Sequence, residues 1–228
     1  MFKTAYLVAY NLACAYGWAL VWKVCFEHIK EGPKLDTFYS EIETNLQYAQ
    51  TAAVMEILHA IFRLVKSNPA TTFLQVFSRI WVLWMVMNVA PDAQTSIFTL
   101  LCVTSWATVE IPRYIYYALN LLNAVPYPLK WLRYSLFAIL YPTGISGELG
   151  CMYHALLYFY NLTQPKVVFE IPVQPGMPGI PINSNVVIIL YIIVAITYIP
   201  GSPKMYNHML KERNKQLNGI VADKKKKQ

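Results

Sequence analysis

The chain has 228 residues, of which 56% are hydrophobic and 14% are charged, and its mean hydropathy is +0.35. Soluble domains carry about 25% charged residues, so this composition excludes an ordinary soluble protein and a disordered one. A transmembrane helix needs about 20 apolar residues. We therefore predict an all-α integral membrane protein, a bundle of about six transmembrane helices.

The net charge of +7 is concentrated at the C-terminus and is therefore not evidence for nucleic-acid binding. Residues 204–228 contain eight of the 19 basic residues and only two of the 12 acidic ones. We predict a six-span domain over residues 1–203 and a basic cytosolic tail over residues 204–228. The four cysteines are scattered without the spacing of a zinc site, and no metal site is predicted.

Apolar runs separated by turn signals define the predicted spans. The first run begins at Thr4 and is longer than the core of a signal peptide, so we expect it to be retained. A polar, acidic loop with a short amphipathic stretch is predicted over residues 27–45. The later spans are predicted at about 46–65, 71–90, 95–119, 129–159 and 184–201. Residues 164–183 contain five prolines and predict an extended loop, polyproline-like in places.

An even number of spans places both termini on one side of the membrane. That side would hold Lys3, the turns at 63–68 and 120–133, and the basic tail. The opposite side would hold few basic residues and most of the acidic ones. The positive-inside rule therefore predicts cytosolic N- and C-termini.

Ionisable side chains inside the predicted spans are the main functional signal, because burying them in a membrane carries an energetic cost. Their helical spacing arranges them as polar stripes that are expected to face the bundle interior. The stripes are Glu56, His59 and Arg63 on span two, Gln75, Ser78 and Arg79 on span three, Glu110, Arg113, Tyr114 and Tyr117 on span four, and Arg133, Tyr134, Tyr141 and Glu148 on span five. For most of these residues a structural ion-pair network is the favoured interpretation, with Glu56 paired to Arg79 or Glu110 paired to Arg113.

Glu148 differs from the other stripe residues. Gly144 and Gly147 lie nearby, and no basic residue lies within one turn on the same helix. An isolated carboxyl group in such a place suits acid–base catalysis. Tyr141 lies seven residues earlier, about 10 Å away along a straight helix axis, so we expect a kink at Pro142 or a substrate between the two side chains.

The span-five segment resembles the signature of the very-long-chain (3R)-3-hydroxyacyl-CoA dehydratases, also called protein-tyrosine-phosphatase-like proteins. The matching run is Trp131-x-Arg133-Tyr134-x-x-Phe137-x-x-Leu140-Tyr141-Pro142-x-Gly144-x-x-x-Glu148. Other segments that resemble the family are Tyr6-Leu7-x-x-Tyr10-Asn11, Glu56-x-Leu58-His59, Gln75-Val76-x-Ser78-Arg79 and Glu110-x-x-Arg113-Tyr114-x-x-Tyr117. The resemblance extends over about residues 4–205.

This resemblance implies a hydro-lyase of fatty-acid elongation that converts (3R)-3-hydroxyacyl-CoA to trans-2-enoyl-CoA. It implies that Tyr141 and Glu148 are the catalytic pair, within a catalytic domain over residues 1–203, and that no metal or redox cofactor is needed. We expect Glu148 to be the base and Tyr141 the donor to the leaving hydroxyl. The opposite assignment, or Glu148 serving both steps, stays open at this point.

The other stripe residues are expected to bind substrate or to support the site. This set is Glu56, His59, Arg79, Glu110, Arg113, Tyr114, Tyr117, Arg133 and Tyr134. Candidates for holding the CoA phosphates are Arg63, Lys66 and Lys130, together with Arg133. The positive-inside bias explains these charges equally well.

The resemblance also implies a location and partners. These are the endoplasmic reticulum membrane, a long-chain acyl-CoA substrate, membrane lipid, and the condensing enzyme, 3-ketoacyl-CoA reductase and trans-2-enoyl-CoA reductase of elongation. The terminal Lys225-Lys226-Lys227-Gln228 resembles a cytosolic dilysine retrieval signal. The alternative function is a non-enzymatic scaffold of the elongation machinery, and the presence of both Tyr141 and Glu148 favours the enzyme. A transporter is less favoured, because the sequence shows no internal repeat.

Overall fold

The computed structural model describes the backbone of residues 2–171 and 180–225, with side chains up to residue 217. Within these ranges the chain forms nine α-helices, one π-helical segment and a two-stranded sheet. The helices are α1 (Phe2–Glu31), α2 (Leu35–Ala52), α3 (Val54–Ile61), α4 (Pro69–Trp81) followed by the π-helical segment (Val82–Met87), α5 (Pro91–Gln94), α6 (Ile97–Leu121), α7 (Tyr127–Ser135), α8 (Phe137–Tyr160) and α9 (Ser184–Lys225). The strands are β1 (Val167–Ile171) and β2 (Ile180–Asn183).

Local sequence signals explain where several helices begin and end. Helix α1 is followed by Gly32 with a φ of 96°, a left-handed conformation that glycine adopts without steric cost. The Asn68 side chain accepts a hydrogen bond from the Ala70 backbone N–H at 2.9 Å, and Pro69 occupies the first turn of α4. Ser96 caps α6 in the same way. Turn residues that are visible in the sequence therefore delimit these helices.

Each predicted span falls on a helical segment, and the all-α class is confirmed. Among the described residues, three helices are long and apolar enough to cross a membrane by length and composition, Phe2–Glu31, Pro69–Met87 and Ser184–Leu217. Predicted span two is divided between α2 and α3 at Ala53, and predicted span five between α7 and α8 at Leu136. The protein is an all-α membrane protein, while the number of six spans stays a prediction.

Two predicted loops are more ordered than expected. The polar segment 27–45 is mostly helical, because Phe38, Ile42 and Leu46 recur at helical spacing and bury one face of α2. The described part of segment 164–183 pairs β1 and β2 as antiparallel strands, with Ile171 opposite Ile180. The prediction of an extended loop was therefore wrong for these residues, whose β-branched side chains favour strands. The prolines at 172, 175 and 178 lie outside the described residues.

Contacts between helices show that successive segments run in opposite directions. Helix α1 is antiparallel to α2, because Tyr10 bonds to Ala52 whereas His28, later in α1, bonds to Glu41, earlier in α2. Helix α6 is antiparallel to α8, because Ser105 bonds to Thr143 whereas Thr99, earlier in α6, bonds to Cys151, later in α8. The start of α1, the 62–68 turn and the 122–126 turn consequently lie at one end of the bundle. The turn after α1, the segment around α5 and the β-hairpin lie at the other end. The turns that the charge distribution grouped together therefore lie at one end of the bundle, and the side of the membrane that this end faces stays a prediction.

Helix α9 runs antiparallel to α7 and α8 and continues past residue 203, where the domain boundary was predicted. The Tyr206 ring packs edge-on against Phe137 with centroids 5.5 Å apart, and Arg213 Nε donates to Ser135 Oγ at 3.2 Å. The first part of the basic segment therefore packs on the bundle. The four terminal residues, with their dilysine-like pattern, lie outside the part of the chain whose side chains are described.

Candidate active site

The Glu148 carboxylate lies in the bundle interior, where α8 faces α6 and α9. Its side chain is buried, and its two oxygens accept hydrogen bonds from two different helices. Trp106 Nε1 on α6 donates to Oε1 at 2.9 Å, and the Tyr198 hydroxyl on α9 donates to Oε2 at 2.7 Å. Among the described residues, no lysine or arginine forms an ion pair with Glu148. The carboxylate is thus held by neutral donors, in agreement with the absence of a cation on its own helix.

Close approach of α6 and α8 brings Trp106 within reach of Glu148. A Cβ at Gly147 would lie 2.7 Å from the Cα of Cys102, and a Cβ at Gly150 would lie 2.1 Å from the Phe98 ring. Real Cβ atoms do not make such contacts, so these two positions need glycine for the helices to pack at this distance. Gly147 and Gly150 therefore set the short distance between α6 and α8 at which the Glu148 side chain reaches Trp106.

Tyr141 lies on the same helix as Glu148 and is half-buried. Its hydroxyl is 3.5 Å from the backbone carbonyl oxygen of Ser202 on α9, and its ring packs on Tyr206. Helix α8 is continuous through Pro142, and the interruption of span five lies earlier, at Leu136. Tyr141 and Glu148 therefore remain two helical turns apart on α8. Their contacts on α9, Ser202 and Tyr198, are one helical turn apart.

Four other stripe residues form an ion-pair network between α3, α4 and α6. Arg113 donates to both oxygens of Glu56 at 2.6 and 3.0 Å, and its Nε donates to Glu110 at 2.7 Å. Arg79 forms a salt bridge with the second oxygen of Glu110. The Tyr114 hydroxyl donates to Glu56 at 2.5 Å. Two carboxylates and two guanidinium groups therefore neutralise one another inside the bundle.

The structure corrects the partner assignments within this network. The predicted pair of Glu110 with Arg113 is confirmed, but the pair of Glu56 with Arg79 was wrong. Glu56 binds Arg113, and Arg79 binds Glu110. His59 is buried and bonds to the Tyr6 hydroxyl at 3.0 Å, at the edge of the same region.

Three residues of the predicted polar stripes do not take part in a polar network in the bundle interior. Helix α3 ends at Ile61, and Arg63 is exposed with a φ of 53°, so it does not continue the stripe of Glu56. Gln75 is exposed rather than inward-facing, because the buried face of α4 passes through Val76. Ser78 uses its hydroxyl to bond its own helix at the Gln75 carbonyl. On α4 only Arg79 joins the ion-pair network.

The surroundings of Arg133 on α7 differ from those of Arg79 and Arg113 in the ion-pair network. It lies over the rings of Tyr117 and Tyr134, at 5.7 and 5.6 Å from their centroids, and its Nη2 donates to the Tyr117 hydroxyl at 3.3 Å. Its Nε is buried without a hydrogen-bond partner among the described residues. Arg133 forms no salt bridge with a described carboxylate, and the described groups that contact its guanidinium are the rings of Tyr117 and Tyr134 and the Tyr117 hydroxyl.

Two of the proposed phosphate-binding side chains share a surface cleft. Arg63 and Lys66, in the turn after α3, line a cleft of about 540 Å³ that also contacts Pro69 at the start of α4. Lys130 lies apart from them in the first turns of α7 and is half-exposed. The cleft and α7 are at the same end of the bundle, the end with the 62–68 and 122–126 turns.

Two residues that contact Glu148 were absent from the predicted site. Trp106 and Tyr198 lie in runs without charged residues, where tryptophan and tyrosine are usually core or interface residues. One signal was available for α9, since Tyr191 and Tyr198 lie seven residues apart and so share a helix face. Both are hydrogen-bonded inward, Tyr191 to the carbonyl of Met85 and Tyr198 to the carboxylate.

The fold and this site together define a helical membrane protein in which neutral donors hold a buried carboxylate between the helices. A model of one protein family, described as protein tyrosine phosphatase-like protein, PTPLA, matches residues 50–219. The chain belongs to this family, which confirms the resemblance seen in the sequence.

Curated relatives match nearly the whole chain. The human very-long-chain (3R)-3-hydroxyacyl-CoA dehydratase 2 is 36% identical over 97% of the chain and 84% of that protein. The Caenorhabditis elegans very-long-chain (3R)-3-hydroxyacyl-CoA dehydratase hpo-8 is 37% identical over 94% of the chain and 95% of that protein. The Arabidopsis thaliana very-long-chain (3R)-3-hydroxyacyl-CoA dehydratase PASTICCINO 2 is 36% identical over 95% of the chain and 94% of that protein. No solved structure matches the chain.

Proposed function

We propose that this protein is a hydro-lyase that removes water from very-long-chain (3R)-3-hydroxyacyl-CoA, giving trans-2-enoyl-CoA in fatty-acid elongation. The observation that carries the proposal is the buried Glu148 carboxylate, whose donors within the described part of the chain are the neutral side chains of Trp106 and Tyr198. Relatives of similar length that cover nearly all of the chain are named for this dehydration. An isolated carboxylate in such a family is well suited to be the base of the elimination.

The elimination needs one base and one acid. We propose that Glu148 takes the proton from C2 of the acyl chain, and that the electron pair of this C–H bond forms the C2=C3 double bond. The C3–O bond breaks, and the leaving hydroxyl takes a proton from the Tyr141 hydroxyl and departs as water. No electrons are gained or lost overall, so no redox cofactor is needed, and we propose that the two side chains supply the base and the acid without a metal.

The reacting carbons are proposed to lie between Tyr141 and Glu148, against α9. The two side chains are about 10 Å apart along α8, which is too far for direct contact on a straight helix. Tyr198 and Ser202, which contact them, are only about 6 Å apart along α9. A substrate lying along this turn of α9 reaches both groups.

The CoA portion is proposed to enter from the end of the bundle that carries Arg63 and Lys66. Arg133 is proposed to bind an anionic or carbonyl oxygen of the substrate, because it has no described carboxylate partner, whereas Arg79 and Arg113 are neutralised by Glu110 and Glu56. Trp106 lies 15 residues before the end of α6, about 22 Å from that end. The pantetheine arm is proposed to span this depth.

The setting of the reaction is also a proposal. We place the protein in the endoplasmic reticulum membrane with both termini cytosolic, as the positive charges at one end of the bundle favour. The condensing enzyme and the two reductases of elongation are the expected partners, because they produce its substrate and consume its product.

The direct test is turnover by purified, detergent-solubilised wild-type protein. We expect conversion of (3R)-3-hydroxystearoyl-CoA to the trans-2-enoyl-CoA, followed by chromatography, and no conversion of the 3S isomer. A chelator is expected to leave the rate unchanged. Folded protein that converts no 3R substrate of any chain length would contradict the proposal and favour the scaffold.

A pair of tyrosine variants on α8 separates a catalytic hydroxyl from a general effect on the helix. Tyr141→Phe is expected to lose most of the turnover, because the leaving hydroxyl then has no proton donor. Tyr153→Phe on the same helix is the matched control, since the Tyr153 side chain is 58% exposed. Equal rates in the two variants would remove Tyr141 from the proposed mechanism.

A further inference from the structure

The Tyr198 hydroxyl on α9 and the indole of Trp106 on α6 each hold one oxygen of Glu148. We infer that Tyr198 is a positioning residue that makes Oε2 the proton-accepting oxygen of Glu148 and holds the carboxyl group in both of its protonation states. The role in turnover rests on the proposed function, but the contact itself does not depend on it. No part of the family signature identified in the sequence includes either Tyr198 or Trp106.

The chemistry of the two donors separates the two oxygens. An indole N–H is a donor only, so Oε1 must remain an acceptor as long as Trp106 faces it at 2.9 Å. A phenol hydroxyl both donates and accepts. Tyr198 therefore donates to Oε2 of the carboxylate, at 2.7 Å, and accepts from the O–H of the protonated acid after a rotation of its own hydrogen. A proton on Oε2 therefore leaves both hydrogen bonds intact, whereas a proton on Oε1 would compete with the donor of Trp106.

The position of Tyr198 on α9 suits this role. Tyr198 is half-buried on the helix face that continues to Ser202, the residue whose carbonyl faces the Tyr141 hydroxyl. One turn of α9 consequently contacts both residues of the proposed catalytic pair. Tyr191, two turns earlier on that face, donates instead to the backbone carbonyl of Met85. Helix α9 therefore contains Tyr198, which bonds to the carboxylate, and Tyr191, which does not and can serve as its control.

Few other titratable groups face this carboxylate. Among the described residues, the neighbour from α6 is Cys102, the neighbour from α8 is Tyr141, and the neighbour from α9 is Tyr198 itself. Arg79 of α4 acts from farther away and is paired with Glu110. The two direct hydrogen bonds are therefore the main contacts that a point substitution changes.

Infrared titration tests the contact without any need for turnover. The carboxyl band of Glu148 is assigned as the band lost in Glu148→Gln, and its titration midpoint is followed in wild type and variants. Tyr198→Phe is expected to move the midpoint about one pH unit higher, because the ionised carboxylate loses a donor. Its C=O band is expected to move toward the position of a free acid. Tyr191→Phe is expected to change neither value.

A second replacement keeps the test decisive if Tyr198→Phe does not fold. Replacement of Tyr198 by 3,5-difluorotyrosine keeps the ring and the hydroxyl and makes the hydroxyl a stronger donor. This protein is expected to titrate at lower pH than wild type. A Glu148 midpoint that is identical in wild type and in either Tyr198 replacement would overturn the inference.

Kinetics then test the positioning role. Tyr198→Phe is expected to lower kcat at least about tenfold with KM within about threefold, and to move the acidic limb of the pH–kcat profile to higher pH. Tyr191→Phe should retain the wild-type profile. A Tyr198→Phe enzyme with wild-type kcat and pH profile would overturn the role. Inactive but folded wild type would contradict the proposed function, while the infrared titration would still decide the inference.

Discussion

Arg113 on α6 donates to both carboxylate oxygens of Glu56 on α3, at 2.6 and 3.0 Å. Its third nitrogen binds Glu110, which also accepts from Arg79 on α4. The network thus joins three helices through paired charges. Its Glu110 lies one helical turn after Trp106 on α6, so the network fixes the helix whose Trp106 donates to Glu148 on α8.

Removal of one charge from this network is expected to destabilise the protein strongly. Glu56→Gln leaves part of the Arg113 charge unpaired in the bundle, and breaking a buried pair in this way costs about 3–5 kcal/mol. The free energy of unfolding in detergent micelles measures the effect. Glu27→Gln, which removes the exposed pair with Lys23, is the control and is expected to cost less than about 1 kcal/mol. Equal losses in the two variants would contradict the structural role of the network.

A methyl group at Gly147 is expected to separate α6 from α8. Its Cβ would lie 2.7 Å from the Cys102 backbone, so the helices must move apart, at a cost of about 1–3 kcal/mol. Gly147→Ala should therefore lower both the thermal stability and the rate of dehydration. Gly201→Ala is the matched control, because no heavy atom lies within 4 Å of the added Cβ. A Gly147→Ala protein with wild-type stability would show that the helix spacing is not fixed there.

The cleft beside α3 and α4 is expected to contribute to CoA affinity. Lys66→Gln should raise KM about threefold or more with little change in kcat, because a phosphate contact far from the reacting carbons affects binding uniformly. The effect should shrink as salt is added, since exposed charges are screened. Lys166→Gln, at the opposite end of the bundle, should leave KM unchanged. A similar KM change in both variants would point to net charge rather than to a site.

The orientation of the chain is expected to follow the charge distribution. A tag placed after Gln228 should be digested by protease added to sealed microsomes, because the basic C-terminal segment is predicted to be cytosolic. A tag inserted between β1 and β2, at residue 175, should be protected until detergent is added. Protection of the C-terminal tag would reverse the predicted topology.

The positions of the helices were easier to predict from the sequence than the contacts between them. Long apolar runs and caps such as Asn68 and Ser96 are local signals, so the positions of the helical segments were predictable. The loop predicted over 27–45 was wrong, because the acidic side chains obscured the helical spacing of Phe38, Ile42 and Leu46.

Which side chains pair within the site depends on how each helix is rotated about its axis and how closely it packs against its neighbours. A single sequence does not contain this information directly. The stripes correctly drew attention to Glu56, Glu110 and Arg113, but the partner of Glu56 lies 57 residues away on α6. Trp106 and Tyr198 were missed because their polar atoms are single N–H and O–H groups on large apolar rings. Their importance becomes visible only when α6 and α9 are placed on either side of Glu148.

The Glu148 carboxylate is proposed to be the base of the dehydration. The most direct measurement compares kcat for (3R)-3-hydroxystearoyl-CoA in purified wild type, Glu148→Gln and the control Glu170→Gln, whose side chain is exposed on β1. We predict that Glu148→Gln loses about 10²- to 10⁴-fold in kcat while it remains folded, and that Glu170→Gln keeps the wild-type rate. A folded Glu148→Gln protein with wild-type kcat would contradict the claim.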